Sequence, residues 1–115
     1  MKQKEVTING HKYPVAFTLD TLFGVEDIIN GSFFDANFGT LKNRMALVLA
    51  AIYTADENAD ITVDTLKAME PFKMIQDVTT AFVTISELMS EFFKVPATEP
   101  ADNTPETADE EKPKN

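Results

Sequence analysis

Apolar residues between Pro71 and Lys94 recur at alternating steps of three and four, a spacing that places them on one face of a helix. The face consists of Ile75, Val78, Phe82, Ile85, Met89 and Phe92, with Met74, Ala81 and Leu88 on one flank. Pro71 suits the first helical position, because its missing N–H would have no partner there. We therefore predict a helix of about 36 Å that needs packing partners along its whole length.

Near the N-terminus apolar and polar residues alternate, which predicts a β-hairpin over residues 6–17. Asn9-Gly10 is the expected two-residue turn, because both of its positions require a positive φ. This turn pairs Ile8 with His11 and thereby sets the register of the strands. The face expected to pack inward carries Val6, Ile8, His11, Tyr13, Val15 and Phe17. Because a two-stranded hairpin is marginal in water, this face must lie on helices or join a larger sheet.

Three shorter helices are predicted between the hairpin and the long helix. The first begins at an N-cap, Thr18, and stops at Asn30-Gly31. The second begins after Thr40 or Asn37, which are both good caps, and runs to about residue 54. The third is capped by Thr62 and ends near residue 69, because a residue that precedes a proline is biased away from helix.

The predicted fold class is α+β and mostly helical, with an N-terminal β-hairpin packed on about four helices within residues 1–95. From Pro96 the composition changes, since residues 96–115 hold four of the six prolines, six acidic residues and no aliphatic residue larger than alanine. Such a segment does not bury enough apolar surface to offset its ordering entropy. We therefore predict one compact domain followed by a disordered tail.

Charge and cysteine content narrow the range of functions. The formal net charge is −9, which makes nucleic acids and anionic membranes poor partners. The 115 residues include no cysteine, so the chain has no disulfide and no thiol nucleophile. No apolar run approaches the roughly 20 residues of a membrane span, and the N-terminus does not resemble a signal segment. We expect a soluble protein of the cytoplasm.

Residues that carry catalytic or metal chemistry are few and scattered. His11 is the only histidine, so a histidine-based triad or metal cluster lacks a second member. Glu26 and Asp27 are neighbours in a helix and point to different sides. The acidic stretch from Asp56 to Asp60 lacks the glycine hinge and the terminal glutamate of a calcium loop. We predict no catalytic, cofactor-binding or metal-binding residue, and no enzyme activity.

Phenylalanine and methionine are the residue types that most favour a binding role, since the chain has nine phenylalanines and five methionines. One interpretation places them in the core. The other is a plastic apolar groove that holds amphipathic helices, because methionine repacks readily around varied partners. The residues predicted to contact a partner are Phe33, Phe34, Phe38, Met89, Phe92 and Phe93.

The order of elements over residues 4–94 follows a known pattern. It begins with Val6–Thr18 (VTINGHKYPVAFT), a hairpin with a glycine turn and an aromatic strand end. A helix with Glu26-Asp27 midway follows, then a central helix with an early arginine, Arg44, a Thr-capped short helix and a long final helix. In this order the chain resembles the short tail assembly chaperones of long-tailed bacteriophages and prophages.

The resemblance implies a function, a location and a set of partners. A chaperone of this family coats the hydrophobic tape measure protein in the cytoplasm of the bacterial host and keeps it soluble until the tail tube assembles around it. In many relatives a programmed frameshift produces a longer form whose second domain recruits the tail tube protein. Several copies along one client, and self-association into a homo-oligomer, would follow. The family brings no catalytic residue.

Two other functions compete with this one. An acidic inhibitor that mimics DNA would block a host nucleic-acid enzyme, but it needs carboxylates arrayed on one face at the spacing of phosphates. In this chain much of the negative charge lies in the predicted tail, and the rest is scattered among lysines. A minor structural protein of the phage tail is the third interpretation, and detection in mature particles would favour it.

Overall fold

Two antiparallel strands and four helices make up residues 2–94, the part of the chain that the structure, a computed structural model, describes. The elements are β1 (Gln3–Ile8), β2 (His11–Ala16), α1 (Leu19–Ile29), α2 (Leu41–Ala55), α3 (Val63–Lys67) and α4 (Pro71–Phe92), with a 3-10 turn at Phe33–Asp35. The prediction of a hairpin followed by four helices is confirmed. The predicted domain limit at residue 95 and the predicted disordered tail lie outside the described residues.

The hairpin has the register that its turn sequence predicts, with Ile8 opposite His11. Asn9 and Gly10 both take positive φ, 53° and 82°. The Asn9 N–H donates a hydrogen bond to the Asp77 carboxylate at 2.8 Å, which ties the turn to α4. Most of the predicted inner face is buried, but His11, beside the turn, is exposed.

Threonine caps define the starts of the first three helices as predicted. The Thr18 side chain caps α1, and Asn30 ends that helix in the left-handed region. Thr40, rather than Asn37, caps α2. Thr62 caps α3 with a reciprocal bond to Thr65. The last helical residue of α3 is Lys67, two residues before the predicted end, because the chain already turns there toward the start of α4.

Helix α2 is the centre of the core. Its eight consecutive residues from Met45 to Ile52 are all buried, because α1, α4 and β2 pack around it. A helix that is buried all round shows no single apolar stripe. Leu47, Val48, Ala51 and Ile52 have no measurable exposure, so α2 leaves little room for any change of side-chain volume.

The buried face of α4 is rotated from the predicted one. It consists of Val78, Ala81, Ile85 and Leu88. Ile75, predicted to face inward, is 44% exposed. The rotation arises because α4 packs against both α2 and β1, and these neighbours together select the flank that carries Ala81 and Leu88.

A buried hydroxyl joins the hairpin to both α1 and α2. Thr21 has no measurable exposure, and its Oγ1 donates to the Ala16 carbonyl at 3.2 Å. The same oxygen accepts from the Thr18 N–H at 3.0 Å and lies 2.6 Å from Thr54 Oγ1. The Thr21 hydroxyl therefore serves three backbone or side-chain partners at the point where β2 enters α1.

We expect Thr21→Val to lower the free energy of unfolding by about 1–3 kcal/mol, because valine keeps the volume and leaves buried polar partners unsatisfied. Urea unfolding measures the change. Thr80→Val is the matched control, since Thr80 is exposed on α4 and its exchange should stay within about 0.5 kcal/mol of the wild type. An equal, small effect for both variants would contradict the role given to Thr21.

Tyr53 fastens the end of α2 to the segment before α3. Its hydroxyl donates a hydrogen bond to the Ile61 carbonyl. Burial, and secondly the nearby carboxylate of Asp60, raise the pKa of Tyr53 above its ordinary value of 10.0. The unfolded chain therefore releases this proton at a lower pH than the folded chain, so the stability that Tyr53 contributes is complete below about pH 10 and is lost as the pH rises further.

We expect Tyr53→Phe to lower the free energy of unfolding by about 1 kcal/mol at pH 8, because one hydrogen bond is removed. The difference in unfolding free energy between variant and wild type should become smaller as the pH is raised above 10, since only the wild type loses the stability that depends on protonated Tyr53. Urea unfolding at both pH values measures it. If that difference stays constant or grows with pH, ionisation of Tyr53 does not cause the loss of stability above pH 10.

Candidate partner-binding surface

Seven of the nine phenylalanines form one connected cluster where the end of α4 meets the start of α1 and the 3-10 turn. Phe17 contacts Phe92 and Phe93, with ring centroids 5.1 and 5.9 Å apart. Phe33 is the hub on the other side, with centroids of Phe34 and Phe38 at 5.4 and 5.3 Å. The remaining contacts are Phe33–Phe93, Phe34–Phe93, Phe92–Phe93 and Phe38–Phe82. Most pairs are tilted or edge-to-face, the geometry that aromatic quadrupoles favour.

Three members of this cluster are open to solvent, and we call them the aromatic surface: Phe34, Phe92 and Phe93. Their exposed fractions are 73%, 41% and 45%. Phe17 and Phe33 lie beneath them and are buried. Single exposed apolar residues are common, but rings that contact one another form a continuous apolar patch, and such patches mark interaction sites. The exposed rings rest on the buried rings of Phe17 and Phe33.

The six residues predicted to contact a partner divide into three groups. Phe34, Phe92 and Phe93 are exposed, and the structure brings them together. Phe33 and Phe38 belong to the same cluster, but Phe33 is buried and supports the surface from below, while Phe38 is half-buried against Phe82. Met89 is half-buried against the core, one turn before Phe93, whose N–H donates to the Met89 carbonyl.

Two charged side chains hold the loop that carries Phe34 in place. The Glu26 carboxylate accepts a hydrogen bond of 2.8 Å from the Phe33 N–H, where the 3-10 turn begins. Arg44 Nε donates to the Phe38 carbonyl at 2.6 Å, and its guanidinium lies 4.8 Å from the Phe82 ring centroid. The loop is thus clamped at both ends by α1 and α2, so Phe34 is exposed on a fixed backbone.

The roles of Glu26 and Arg44 are not evident from composition or periodicity. Both residues stand in the pattern of elements described above, Glu26 midway along the first helix and Arg44 early in the central one. That pattern is the only signal in the sequence that singles them out. Both bind the backbone of the loop that carries Phe34, at Phe33 and at Phe38, so both are positioning residues for the aromatic surface.

We expect Arg44→Lys to lower the free energy of unfolding by about 1–2 kcal/mol, because lysine keeps the charge but loses the bond from Nε and the planar stack on Phe82. Thermal and urea unfolding measure the loss. Lys42→Arg, on the exposed side of the same helix, is the matched control and should have no measurable effect. If both variants unfold like the wild type, Arg44 does not fasten the loop.

Charge is unevenly distributed over the exterior of residues 2–94. Lys2 pairs with Glu91 beside Phe92, and Lys4 pairs with Glu87 one turn earlier on α4. Exposed pairs of this kind add little to stability. On another side, Asp20, Asp27 and Glu57 line an open groove of about 620 Å³ between α1 and the end of α2. The charged side chains next to Phe92 are thus balanced as pairs, whereas the groove between α1 and α2 carries three acidic ones.

Residues 2–94 contain no group of three or more histidine and acidic side chains placed to hold a metal ion. In the same part of the chain, no helix combines the length and the apolar character needed to cross a membrane. Comparison of the chain with protein-family models, with curated proteins and with solved structures gives no match.

Proposed function

We propose that the chain is a short tail assembly chaperone of a long-tailed phage or prophage. It binds the tape measure protein and keeps the apolar helical segments of that client soluble until the tail tube assembles. The observation that carries the proposal is the aromatic surface, three phenylalanines in ring contact that are 41–73% exposed. The resemblance in element order supplies the identity of the client.

The mechanism is reversible burial of apolar surface. Burying an exposed phenylalanine completely is worth about 1.5–3 kcal/mol, and the three rings of the aromatic surface are already partly covered. One copy therefore binds weakly and releases readily, which suits a client that must later be handed to the tail tube. Many copies on one long client hold it more firmly, because a second contact on the same chain is intramolecular.

Negative charge keeps the loaded complex from aggregating. The chain carries 19 acidic residues against 10 basic ones, and net charge of this size opposes association between complexes. Six of the acidic residues follow Pro96, close in sequence to Phe92 and Phe93. A longer, frameshifted form that recruits the tail tube protein, a homo-oligomer, and action in the cytoplasm of the host are parts of the same proposal.

The proposal is tested by co-expressing the full chain with the longest, most helical protein encoded immediately downstream. We expect that client to move from the insoluble to the soluble fraction and to co-purify with the chain. A folded chain that neither rescues nor binds the client contradicts the proposal. A pull-down for a host nucleic-acid enzyme would then test the DNA-mimic alternative, and a search of mature particles would test the structural one.

A further inference from the structure

A second apolar groove lies where α1 ends and α2, α3 and α4 begin. It has a volume of about 450 Å³ and an almost wholly apolar lining of Ile28, Leu41, Met45, Ala46, Val63 and Met74. Two lysines, Lys42 and Lys67, complete its wall. We call this feature the lysine-rimmed groove. It is distinct from the aromatic surface, since the two share no residue.

The floor of the lysine-rimmed groove belongs to the core, and its sides are open. Met45 and Ala46 are buried, whereas Leu41, Val63 and Met74 are half-buried and Ile28 is 38% exposed. Side chains from four helices meet here without closing over the floor. Two methionines, Met45 and Met74, line the groove, and methionine adapts its shape to the side chain that it meets. The groove therefore suits apolar side chains that enter from outside.

The two lysines give this groove a charge opposite to that of the whole chain. Neither forms an ion pair within residues 2–94, where the pairs involve Lys2, Lys4 and Lys73. Lys67 lies in the last turn of α3, where a cation stabilises the helix end. Lys42 has no such benefit, because it is the second residue of α2, at the positive end of that helix. A carboxylate bound at the rim would relieve this unfavourable placement.

We propose that the lysine-rimmed groove binds a helical segment of a partner protein whose apolar side chains are flanked by aspartate or glutamate. The apolar side chains enter between Met45 and Met74, and the carboxylates pair with Lys42 and Lys67. This inference deepens the proposed function, on which it rests for the helical nature of the partner. Met74 and Phe92 are 18 residues apart on α4, about 27 Å, so the groove and the aromatic surface contact different stretches of client.

Two labelled peptide probes of 18 residues test the groove. Both carry the same stripe of leucines at helical spacing, and their outer positions are all glutamate in one and all lysine in the other. Fluorescence anisotropy with the full chain measures the affinities. We expect the glutamate peptide to bind at least tenfold more tightly, although the net charge of −9 would by itself favour the lysine peptide. Equal affinities, or a preference for the lysine peptide, overturn the proposal.

Charge reversal at the rim locates the binding. Lys42→Glu combined with Lys67→Glu should weaken binding of the glutamate peptide at least tenfold. Lys12→Glu, on the exposed side of β2, is the control and should change it less than twofold. If the control weakens binding as much as the rim variant, long-range charge rather than the groove is responsible, and the proposal is overturned.

Two further outcomes separate this inference from the proposed function. Phe34→Ser combined with Phe93→Ser should leave the preference for the glutamate peptide over the lysine peptide in place, and loss of that preference would place the peptide on the aromatic surface instead. Sedimentation of the full chain without peptide measures self-association. The rim variant should self-associate to the same extent as the wild type, since a loss of self-association in the variant would mean that a second copy occupies the groove. Either of these contrary results overturns the assignment of the groove as a binding site. The proposed function is tested separately, by rescue of the client in co-expression.

Discussion

Replacing Phe34 and Phe93 together by serine is expected to return most of the client to the insoluble fraction in co-expression. The two rings are 73% and 45% exposed and 6.2 Å apart, so they supply much of the apolar area that a client helix can cover. Their loss should cost roughly 2–4 kcal/mol of binding free energy per copy, which is more than a tenfold change in affinity. The soluble and insoluble amounts of client, measured by gel densitometry, give the result.

Phe72→Ser is the matched control for this pair. Phe72 is the most exposed large apolar residue of the described chain, at 82%, but it lies in the first turn of α4, at the end opposite Phe92 and Phe93. Rescue of the client should be unaffected. Because Phe93 also contacts Phe17, the stability of the double variant is measured by urea unfolding. Full rescue by a folded double variant would show that the client binds elsewhere.

Ile85→Ala is expected to cause the largest loss of stability, about 2–5 kcal/mol. Ile85 has no measurable exposure and sits in the buried face of α4, which packs on α2 and β1. Removing its side chain leaves a cavity that closely packed neighbours do not fill. For a domain of this size the melting temperature should fall by roughly 10–30 °C, as followed by circular dichroism.

Val83→Ala tests whether burial, and not helix composition, causes that loss. Val83 lies two residues earlier on the same helix and is 56% exposed. Its exchange removes a β-branched residue from a helix and leaves no cavity, so its effect should stay within about 0.5 kcal/mol. If the two variants melt at similar temperatures, Ile85 does not occupy the packed face of α4.

Local chemistry explains why most of the fold is predictable from the sequence. Asn9-Gly10 sets a hairpin register through the φ values that only a few residues tolerate, and that register is the one observed. Thr18, Thr40 and Thr62 cap their helices through hydrogen bonds that span two or three residues. Such signals depend on neighbours in sequence, so no knowledge of the tertiary structure is needed to interpret them.

Which face of a helix is buried depends on its tertiary neighbours where the sequence pattern allows more than one face. In α4 two adjacent stripes are both apolar, and the periodicity alone favours the one with Ile75, whereas packing against α2 and β1 buries the one with Ala81 and Leu88. The same limit applies to α2. Three neighbours surround it and bury eight consecutive residues, which is more than one face of a helix.

The aromatic surface depends on contacts between distant parts of the chain. Phe34 and Phe93 are 59 positions apart in the sequence. In the sequence each is an apolar residue at the edge of a predicted element, and they come into contact only because the loop folds back on α4. The sequence predicts both as partner-binding residues because they lie outside the faces predicted to form the core. The buried place of Phe33 and the clamps formed by Glu26 and Arg44 depend on the path of the loop, which has no periodicity to interpret.

Hydrogen–deuterium exchange on the full chain, with and without its co-purified client, tests most directly whether the aromatic surface is the site of client binding. Backbone amides of residues 33–38 and 89–94 should exchange more slowly in the complex, because a bound apolar helix covers the rings that these segments carry. Amides of the exposed strand residues near the hairpin turn should be unchanged. Protection confined to other segments, with none in residues 33–38 and 89–94, would contradict the assignment of the aromatic surface as the client-binding site.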